Sequence, residues 1–421
     1  MDPEKNLLWF DSLSERGIKL GLERITELMS RLDNPQSDFR AVHVAGSDGK
    51  GSVCAMIESV LKESGFHTGM FTSPHILKIN ECIRIDGEPV SDADLIFVLS
   101  KIRSVSEDME AEGVYCTQFE ILAATAILMF SSVSCDIAIM ETGMGGRYDC
   151  TSIINPDVTV INNISMEHTG FLGQTIEEII FHKAGIMKPG IPCVTLNDKK
   201  ITGILEKYSR ETGCRLISVN EDDIRVVSCR PDSTEIMYRD SGFTVGLPGH
   251  TQARNAAVAV EALKCLPEFA ETIEEHLFDG LRNVYWPCRM QKLMGMPVIL
   301  DVTHTEAGAL YLRRDIEEIY GKIILVIGLL SDKNIERIAE ILSEAAEKVF
   351  VASPDSPRAA PAGDVFAAVS RYHGDVTLCG SVGEAIGKAL EIRNDTDVLV
   401  TGSFRTAEDA LKWIQNAYAK S

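Results

Sequence analysis

The sequence predicts an α/β protein: a larger domain with a mostly parallel sheet, and a smaller Rossmann-like α/β domain at the carboxyl-terminal end. Three observations predict this fold. Short apolar runs alternate with helical patterns, a glycine-rich turn joins one of these runs to a helix, and 421 residues exceed what one hydrophobic core usually serves. Alternation of this kind favours a parallel sheet covered by helices, whose ligands gather at the carboxyl ends of the strands.

The strands of the larger domain are predicted from short apolar runs bounded by polar residues or glycine. After the first run, apolar residues recur at helical spacing from Val53 to Leu61, and Gly65 is placed to cap that helix. The predicted strands of this domain are residues 41–45, 137–140, 158–161 and 193–196.

A second series of strands indicates the smaller domain. It begins near Pro297 and comprises residues 298–300, 323–327, 348–351 and 398–400. We therefore predict two domains, residues 1–285 and residues 286–421. Short β-like runs between about Thr212 and Thr244 indicate a small antiparallel insert in the larger domain.

Composition excludes several classes of partner. The formal charge is −21, from 62 acidic against 41 basic residues, so nucleic acid and anionic membranes would be repelled. The eleven cysteines show no C-x-x-C spacing, which is typical of reduced thiols in the cytosol. No apolar run approaches the ~18 residues of a membrane span. We expect a cytoplasmic monomer that binds neither nucleic acid nor a membrane.

The segment Gly46-Ser47-Asp48-Gly49-Lys50-Gly51-Ser52 predicts a phosphate-binding loop (P-loop). It follows an apolar strand and opens a helix, so backbone N–H groups and the positive helix end would surround phosphate oxygens. Lys50 would contact the β- and γ-phosphates, and the Ser52 hydroxyl would bind Mg²⁺. The alternative is a glycine-rich turn without a ligand. The strand before the loop and the helix after it favour the nucleotide-binding interpretation.

This loop resembles that of the folylpolyglutamate synthase/dihydrofolate synthase family, which is part of the Mur ligase group. Further motifs of that family follow in the same order along nearly the whole chain. They are Phe71-Thr72-Ser73-Pro74-His75-Ile76, Glu141-Thr142-Gly143-Met144-Gly145-Gly146-Arg147-Tyr148-Asp149, Glu167-His168-Thr169, Leu172-Gly173, Lys183-Ala184-Gly185-Ile186, Trp286-Pro287-Cys288-Arg289, Asp301-Val302-Thr303-His304 and Thr401-Gly402-Ser403.

The resemblance implies a catalytic centre with ATP and two Mg²⁺ ions. Its catalytic residues would be Lys50, Glu141, His168 and Lys183. The metal ions would be held by Ser52 or Ser73, by Glu141 and by His168. Lys183 matches a lysine that is carbamylated in this group and then binds the second Mg²⁺.

The resemblance also implies nucleotide and substrate contacts outside the loop. Gln252 and Asn255 would lie near the adenine, Arg289 would point towards phosphate, and Asp301 towards ribose. The implied activity is ATP-dependent joining of glutamate to a folate or folate-like pterin through an acyl phosphate. The substrate residues would be Ser73, Pro74, His75, Arg84, His304 and Ser403.

The chain departs from the family pattern mainly at substrate positions. Cys82 stands where an arginine usually helps to hold the incoming glutamate. Arg84, two residues on, would point to the same face of a strand and could replace it. Asp48 replaces a family asparagine in the phosphate loop. Thr305, directly after His304, replaces another. Thr251 replaces a histidine before Gln252, and Phe404-Arg405 replaces an apolar residue and a tyrosine near the end.

These departures leave two alternatives open. One is a ligase for a different acid or amine, including ring closure within one molecule. The other is a nucleotide-binding regulator without ligase activity. Retention of Lys50, Glu141, His168 and Lys183 argues against the regulator.

Overall fold

The structure, a computed structural model, describes residues 3–418 and divides into two compact units. The first unit contains the chain up to His75 together with Ile79–Ile224 and Arg254–Val284. The second contains Ile76–Lys78, Arg225–Ala253 and the chain from Tyr285 onward. Each unit is therefore discontinuous in sequence. The division of the chain into domains 1–285 and 286–421 stays a prediction.

The first unit is built on an eight-stranded sheet, whose central strands are buried except for the first residue of one of them, Arg40. Its strand order is β4-β3-β2-β5-β1-β6-β7-β8; the two strands at one edge pair antiparallel and the others pair parallel. The predicted strands are confirmed as β1, β5, β6 and β7. The strands are β1 (Arg40–Ala45), β2 (Thr68–Phe71), β3 (Ile83–Ile85), β4 (Glu88–Pro89), β5 (Ile137–Glu141), β6 (Val158–Ile161), β7 (Pro192–Thr195) and β8 (Arg215–Ser218).

Helices follow most of these strands. The helix predicted after the glycine-rich turn is confirmed: it begins at Lys50, ends at Glu63, and is followed by Gly65 at φ 84°. No helix within residues 3–418 is both long enough and apolar enough to cross a membrane. The first ten helices are α1 (Pro3–Ser12), α2 (Glu23–Arg31), α3 (Lys50–Glu63), α4 (Asp92–Ala111), α5 (Gln118–Ser132), α6 (Thr169–Leu172), α7 (Ile176–Lys183), α8 (Lys199–Thr212), α9 (His250–Leu263) and α10 (Ala270–Asn283).

The second unit holds most of a three-stranded sheet and all of a six-stranded one. The predicted antiparallel insert is confirmed as a sheet of β9 (Ile224–Arg230), β10 (Ser233–Tyr238) and β11 (Ser241–Val245), with β10 and β11 pairing antiparallel. The sequence placed this insert in the larger domain, whereas its residues from Arg225 onward pack within the second unit. The larger sheet has the order β12-β13-β17-β14-β15-β16, and only β12 pairs antiparallel. Its strands are β12 (Gln291–Lys292), β13 (Val298–Leu300), β14 (Ile323–Ile327), β15 (Ala346–Val351), β16 (Val376–Leu378) and β17 (Val398–Thr401).

Five helices accompany the six-stranded sheet. The core of this unit consists of two apolar clusters, which contain buried side chains of the strands and of these helices. The four strands predicted here from apolar runs are confirmed as β13, β14, β15 and β17. The helices are α11 (Glu306–Ile319), α12 (Ile335–Ser343), α13 (Ala362–Val369), α14 (Val382–Ile392) and α15 (Phe404–Tyr418).

The close packing of α5 on the sheet gives a stability prediction. A Cβ at Gly69 in β2 would lie 2.6 Å from a ring carbon of Phe130, which is fully buried on α5. We expect Gly69→Ala to lower the free energy of unfolding by about 1–3 kcal/mol, because the ring cannot move without disturbing its neighbours. Urea denaturation measures this change.

The matched control is Gly203→Ala on α8. A Cβ there meets no atom within 4 Å. Since alanine is the better helix former, this variant should gain about 0.5–1 kcal/mol. Equal effects of the two substitutions would contradict the packing described for Gly69.

Candidate active site

Several polar groups converge at the carboxyl ends of adjacent strands in the first unit. The order β2-β5-β1-β6 places Ser73, Glu141 and the loop after β1 side by side. Parallel strands bring their carboxyl ends to one edge of the sheet, which is where such sheets bind ligands. The structure therefore gathers most of the predicted catalytic residues at one edge.

The loop between β1 and α3 is held by two asparagines that directly follow β6. Asn163 accepts the backbone N–H of Ser47 on its carbonyl oxygen at 2.8 Å and that of Asp48 on Oδ1 at 2.7 Å. Asn162 Nδ2 donates to the Asp48 carbonyl at 2.9 Å. Neither asparagine is among the site residues predicted from the sequence, although both directly follow a predicted strand, where ligand-binding side chains are expected.

Gly49 shows why this loop requires glycine. Its φ is 79°, and a Cβ there would lie 2.6 Å from Asn255 Oδ1 and 2.7 Å from Asn162 Nδ2. Those two side chains are themselves joined by a 3.0 Å hydrogen bond. Asn255, predicted near the adenine, therefore lies against the phosphate loop.

The Lys50 ammonium bends back over its own loop. Its Nζ donates to the carbonyl oxygens of Gly46 at 3.1 Å and Ser47 at 3.2 Å, and lies 3.9 Å from Glu141 Oε1. Burial alone would lower the pKa of Lys50, but the carboxylates of Glu167, Glu141 and Asp48 outweigh burial and raise it. Lys50 is thus a fixed positive charge at the loop.

A second buried ammonium lies beneath the loop. Lys183 Nζ donates to the Gly46 carbonyl at 2.7 Å and to Glu167 Oε1 at 2.5 Å, and its side chain is 1% exposed. Burial lowers the pKa of Lys183 and outweighs the opposing effect of Glu167. The pKa of Glu167 falls to about 2, because Lys183 and Lys50 together outweigh its own burial.

The absence of a side chain at Gly146 allows α7, which bears Lys183, to approach the loop after β5 closely. A Cβ at Gly146, in the glycine-rich loop after β5, would lie 3.0 Å from the His182 carbonyl and 3.1 Å from that of Lys183. The Arg147 N–H donates to the same His182 carbonyl at 2.7 Å. The glycine-rich segment Glu141–Asp149 therefore packs the loop after β5 against the end of α7.

The residues here match the oxygen chemistry that Mg²⁺ prefers. Ser52 Oγ is buried and has no hydrogen-bond partner in the part of the chain that the structure describes. Glu141, 4% exposed, accepts the Ser73 N–H at 3.4 Å. His168 is exposed, with Nε2 3.8 Å from Glu167 Oε2. The unpartnered hydroxyl and the carboxylates fit a divalent cation bound beside the loop.

The predicted substrate residues of the first unit fall into two groups. Ser73, Pro74 and His75 follow β2 at the same sheet edge as Glu141, and the Cys82 thiol interacts with the backbone of His75. The structure does not bring Arg84 to that edge. Arg84 Nη1 donates to the Gly87 carbonyl at 3.0 Å, and Glu58 lies near that turn, two turns along α3 from Lys50.

Some of the predicted residues of the second unit lie close together. The Phe404 ring lies 6.0 Å from the His304 ring and 5.8 Å from the Arg289 guanidinium carbon. Asp301 accepts backbone N–H groups from Met290 at 3.0 Å and Thr303 at 2.7 Å. Ser403 Oγ accepts the Thr406 N–H at 3.0 Å and so caps α15. Gln252 is buried and belongs to the same unit.

Comparison with known proteins agrees with this geometry. The Mur ligase middle domain model matches residues 44–263, and the model named Mur ligase, glutamate ligase domain, matches residues 288–404. The dihydrofolate synthase/folylpolyglutamate synthase of Bacillus subtilis is 35% identical over 374 residues, covering 85% of this chain and 86% of that protein.

Two solved structures are similar over almost the entire chain. Mycobacterium tuberculosis folylpolyglutamate synthase, complexed with ADP and AMPPCP, has a TM-score of 0.88 at 27% identity and covers 98% of both chains. A bifunctional folylpolyglutamate synthase/dihydrofolate synthase with Mn, AMPPNP and L-glutamate bound has a TM-score of 0.83 at 26% identity, covering 97% of this chain and 98% of that one.

Fold and site together define a Mur-type ligase, with a phosphate loop at the carboxyl edge of a parallel sheet and a carboxylate–lysine cluster beside it. The matched models cover both the loop and the second unit. Within the Mur ligases, the chain belongs to the folylpolyglutamate synthase/dihydrofolate synthase family.

The low pKa of Glu167 predicts a pH dependence of stability. The carboxylate has a pKa of about 2 when folded, against an ordinary value of 4.5, so it stabilises the fold fully above about pH 4.5. That contribution is lost as pH falls towards 2. We expect the difference in unfolding free energy between the wild type and Glu167→Gln to be constant above about pH 4.5 and to shrink below it.

Urea denaturation at a series of pH values, in the presence of a chelator, measures this difference. Glu63→Gln, on the exposed end of α3, is the control and should show no such trend. A difference between wild type and Glu167→Gln that does not change from pH 6 to pH 3 would contradict the ion pair.

Proposed function

We propose that the protein is an ATP-dependent ligase that adds glutamate to a folate or folate-like pterin acid through an acyl phosphate. The observation that carries this proposal is the convergence of Lys50, Ser52 and Glu141 around the glycine-rich loop. These are a fixed ammonium, an unpartnered hydroxyl and a buried carboxylate, the groups that a Mg²⁺-bound triphosphate requires. The glutamate reported in a related structure supports the choice of amine.

The reaction has two steps, phosphoryl transfer and acyl transfer. An oxygen of the substrate carboxylate attacks the γ-phosphorus of ATP, the bond to the β–γ bridging oxygen breaks, and ADP leaves. The glutamate amine then attacks the acyl carbon, phosphate leaves with the carboxylate oxygen, and the amine loses a proton. Neither step needs a nucleophilic side chain, so catalysis depends on positioning and charge.

The residues around the phosphate loop have separate roles in this reaction. The loop amides and Lys50 hold the phosphates, and Lys50 stabilises the charge that develops on the transferred group. Ser52 and Glu141 would hold Mg²⁺, with His168 and Ser73 as further candidate ligands, and the ion would supply positive charge against the phosphates. Asn162 and Asn163 hold the loop backbone in place through their hydrogen bonds to Ser47 and Asp48. The nucleotide roles of Gln252, Asn255, Arg289 and Asp301 stay predictions.

Lys183 is proposed to become a carbamate, through addition of CO₂ to its amine with loss of a proton. Burial lowers the pKa of Lys183, which favours the neutral amine that this addition needs. A carbamate would place a second negative group beside Glu167, which lies 2.5 Å from the amine. Carbamylation is therefore coupled to Mg²⁺ binding, because a cation must offset the two negative groups.

The glutamate-binding arginine of the family has no direct counterpart here. Cys82 is buried at that position, and Arg84 is engaged at Gly87. We therefore do not assign the glutamate carboxylate to Arg84. His304 and Ser403 stay predicted substrate residues. A cytoplasmic location is also proposed, since all eleven cysteines are free thiols and ten of them are buried.

Lys50 gives the first test of this function. We expect Lys50→Ala to lower kcat by at least about 100- to 1,000-fold, because it removes the charge that stabilises the transferred phosphoryl group. Urea midpoints should change little, since the hydrogen bonds of the Lys50 ammonium go to carbonyls of its own loop and its nearest carboxylate, Glu141, lies 3.9 Å away. Lys62→Ala, on the exposed face of the same helix, should keep normal kcat. Near-normal turnover of Lys50→Ala would contradict the site.

Lys183 gives the second test. Lys183→Ala should be nearly inactive, and short carboxylates such as acetate or formate should restore part of the activity by replacing the carbamate. Chloride at the same ionic strength is the control. Intact mass of the active, Mg²⁺-loaded enzyme under native conditions should show an added CO₂; an unmodified lysine in a fully active preparation would reject carbamylation.

Substrate choice gives the third test. Phosphate release is measured while folate-like acids are crossed with a set of amino acids. We expect release to require both a pterin acid and glutamate. Sustained release with an acid alone would instead indicate ring closure, and release with another amine would indicate a different ligase.

A further inference from the structure

A group of metal-ligating side chains lies in the second unit, apart from every residue used above. It consists of Cys229 near the end of β9, His250 at the start of α9, and Glu318 on α11. One ligand atom from each lies within 4.8 Å of the ligand atoms of the other two. These residues come from three elements far apart in sequence, so their convergence is a product of the fold.

The histidine of this group is oriented as metal-binding histidines usually are. Its Nδ1 lies 2.6 Å from Asp315 Oδ1, and the Asp315 side chain is only 4% exposed. A carboxylate that holds Nδ1–H leaves the Nε2 lone pair free for an ion. Nε2 points towards Glu318, with 3.6 Å between Nε2 and Oε2.

The distances suit a small tetrahedral ion. Bond lengths of about 2.0–2.3 Å to Zn²⁺ imply about 3.3–3.6 Å between ligand atoms. The Nε2 to Oε2 distance already lies in that range. Cys229 Sγ lies 3.8 Å from Nδ1 of the same ring, and one ligand atom of each of the three residues lies within 4.8 Å of the others, so a modest shift of the partly exposed side chains completes the site. Glu318 is 42% exposed, so its side chain can adjust and solvent can supply a fourth ligand.

A purely structural role explains only part of this group. Asp315 accepts the His250 backbone N–H at 3.1 Å, so the Asp315–His250 pair fixes the start of α9 without any ion. That role does not account for a thiol and a second carboxylate beside the same ring. Glu318 lies three residues after Asp315 and so on the same face of α11.

We propose that Cys229, His250 and Glu318 bind a Zn²⁺ ion, with Asp315 as the positioning residue for the imidazole. Sulfur, nitrogen and oxygen ligands together favour Zn²⁺ over the Mg²⁺ of the phosphate loop. Binding displaces the thiol proton to solvent and offsets the charge of the thiolate and the two carboxylates. The ion clamps β9, α9 and α11 together and stabilises this unit.

The test uses the full-length protein, stripped with a chelator and kept in excess Mg²⁺ to fill oxygen-rich sites. Zn²⁺ is titrated against a chromophoric chelator, and Co²⁺ is added separately to report thiolate ligation by its charge-transfer absorption. We expect one tight Zn²⁺ per chain, a rise in the thermal midpoint, and a Co²⁺–thiolate band.

Substitutions at the proposed ligands test whether Cys229 and Glu318 account for Zn²⁺ binding and for the Co²⁺–thiolate band. Cys229→Ser should abolish the Co²⁺–thiolate band, and Glu318→Gln, an exposed and fold-neutral change, should weaken Zn²⁺ binding at least about tenfold. Cys379→Ser and Glu317→Gln, a cysteine elsewhere in the unit and the neighbouring glutamate on α11, are the controls and should behave as the wild type. Absence of tight Zn²⁺ binding, or a band that survives Cys229→Ser, overturns the proposal.

Discussion

In the unmodified chain, before any carbamate forms on Lys183, the rest of the site depends on the buried pair of Lys183 and Glu167 beneath the phosphate loop. Lys183 joins two elements that are distant in sequence, since its ammonium bonds both to the Gly46 carbonyl and to the Glu167 carboxylate. Removing one partner of such a buried pair leaves an uncompensated charge, which is far more costly than loss of a surface ion pair. The pair therefore fixes where the loop begins relative to the segment after β6.

The other contacts of the loop follow from that position. With Gly46 held, Asn162 and Asn163 fix the next two residues, and Lys50 is left facing Glu141. Each close approach needs a residue without a side chain, as Gly49 and Gly146 show. The glycines of the two motifs thus have packing reasons as well as ligand-binding ones.

Most strands and the phosphate loop could be predicted from the sequence, because each is marked by a local sequence pattern. The buried strands were continuous apolar runs, and the loop had its strand before it and its helix after it. β2 was missed, because Thr68-Gly69-Met70-Phe71 has a glycine at its centre and no β-branched run. Glu167 was seen only as part of a motif, since nothing local shows that its carboxylate meets Lys183.

The placement of Arg84 illustrates the limit of spacing arguments. Residues two apart in a strand do share a face, but they lie about 7 Å apart along it. Because β3 runs antiparallel to β2, moving from Cys82 to Arg84 leads away from the carboxyl edge and towards the turn at Gly87. The position of Arg84 relative to this edge therefore depends on the direction of β3, which the sequence pattern did not reveal.

The central claim is that the acid is activated as an acyl phosphate beside the Lys50 loop. It is tested most directly by labelling the carboxylate of the acid substrate with ¹⁸O and analysing the products by mass spectrometry. Acyl phosphate chemistry predicts that one labelled oxygen appears in the released phosphate while ADP stays unlabelled. Label found in AMP, or unlabelled phosphate accompanying a fully formed amide, would contradict it.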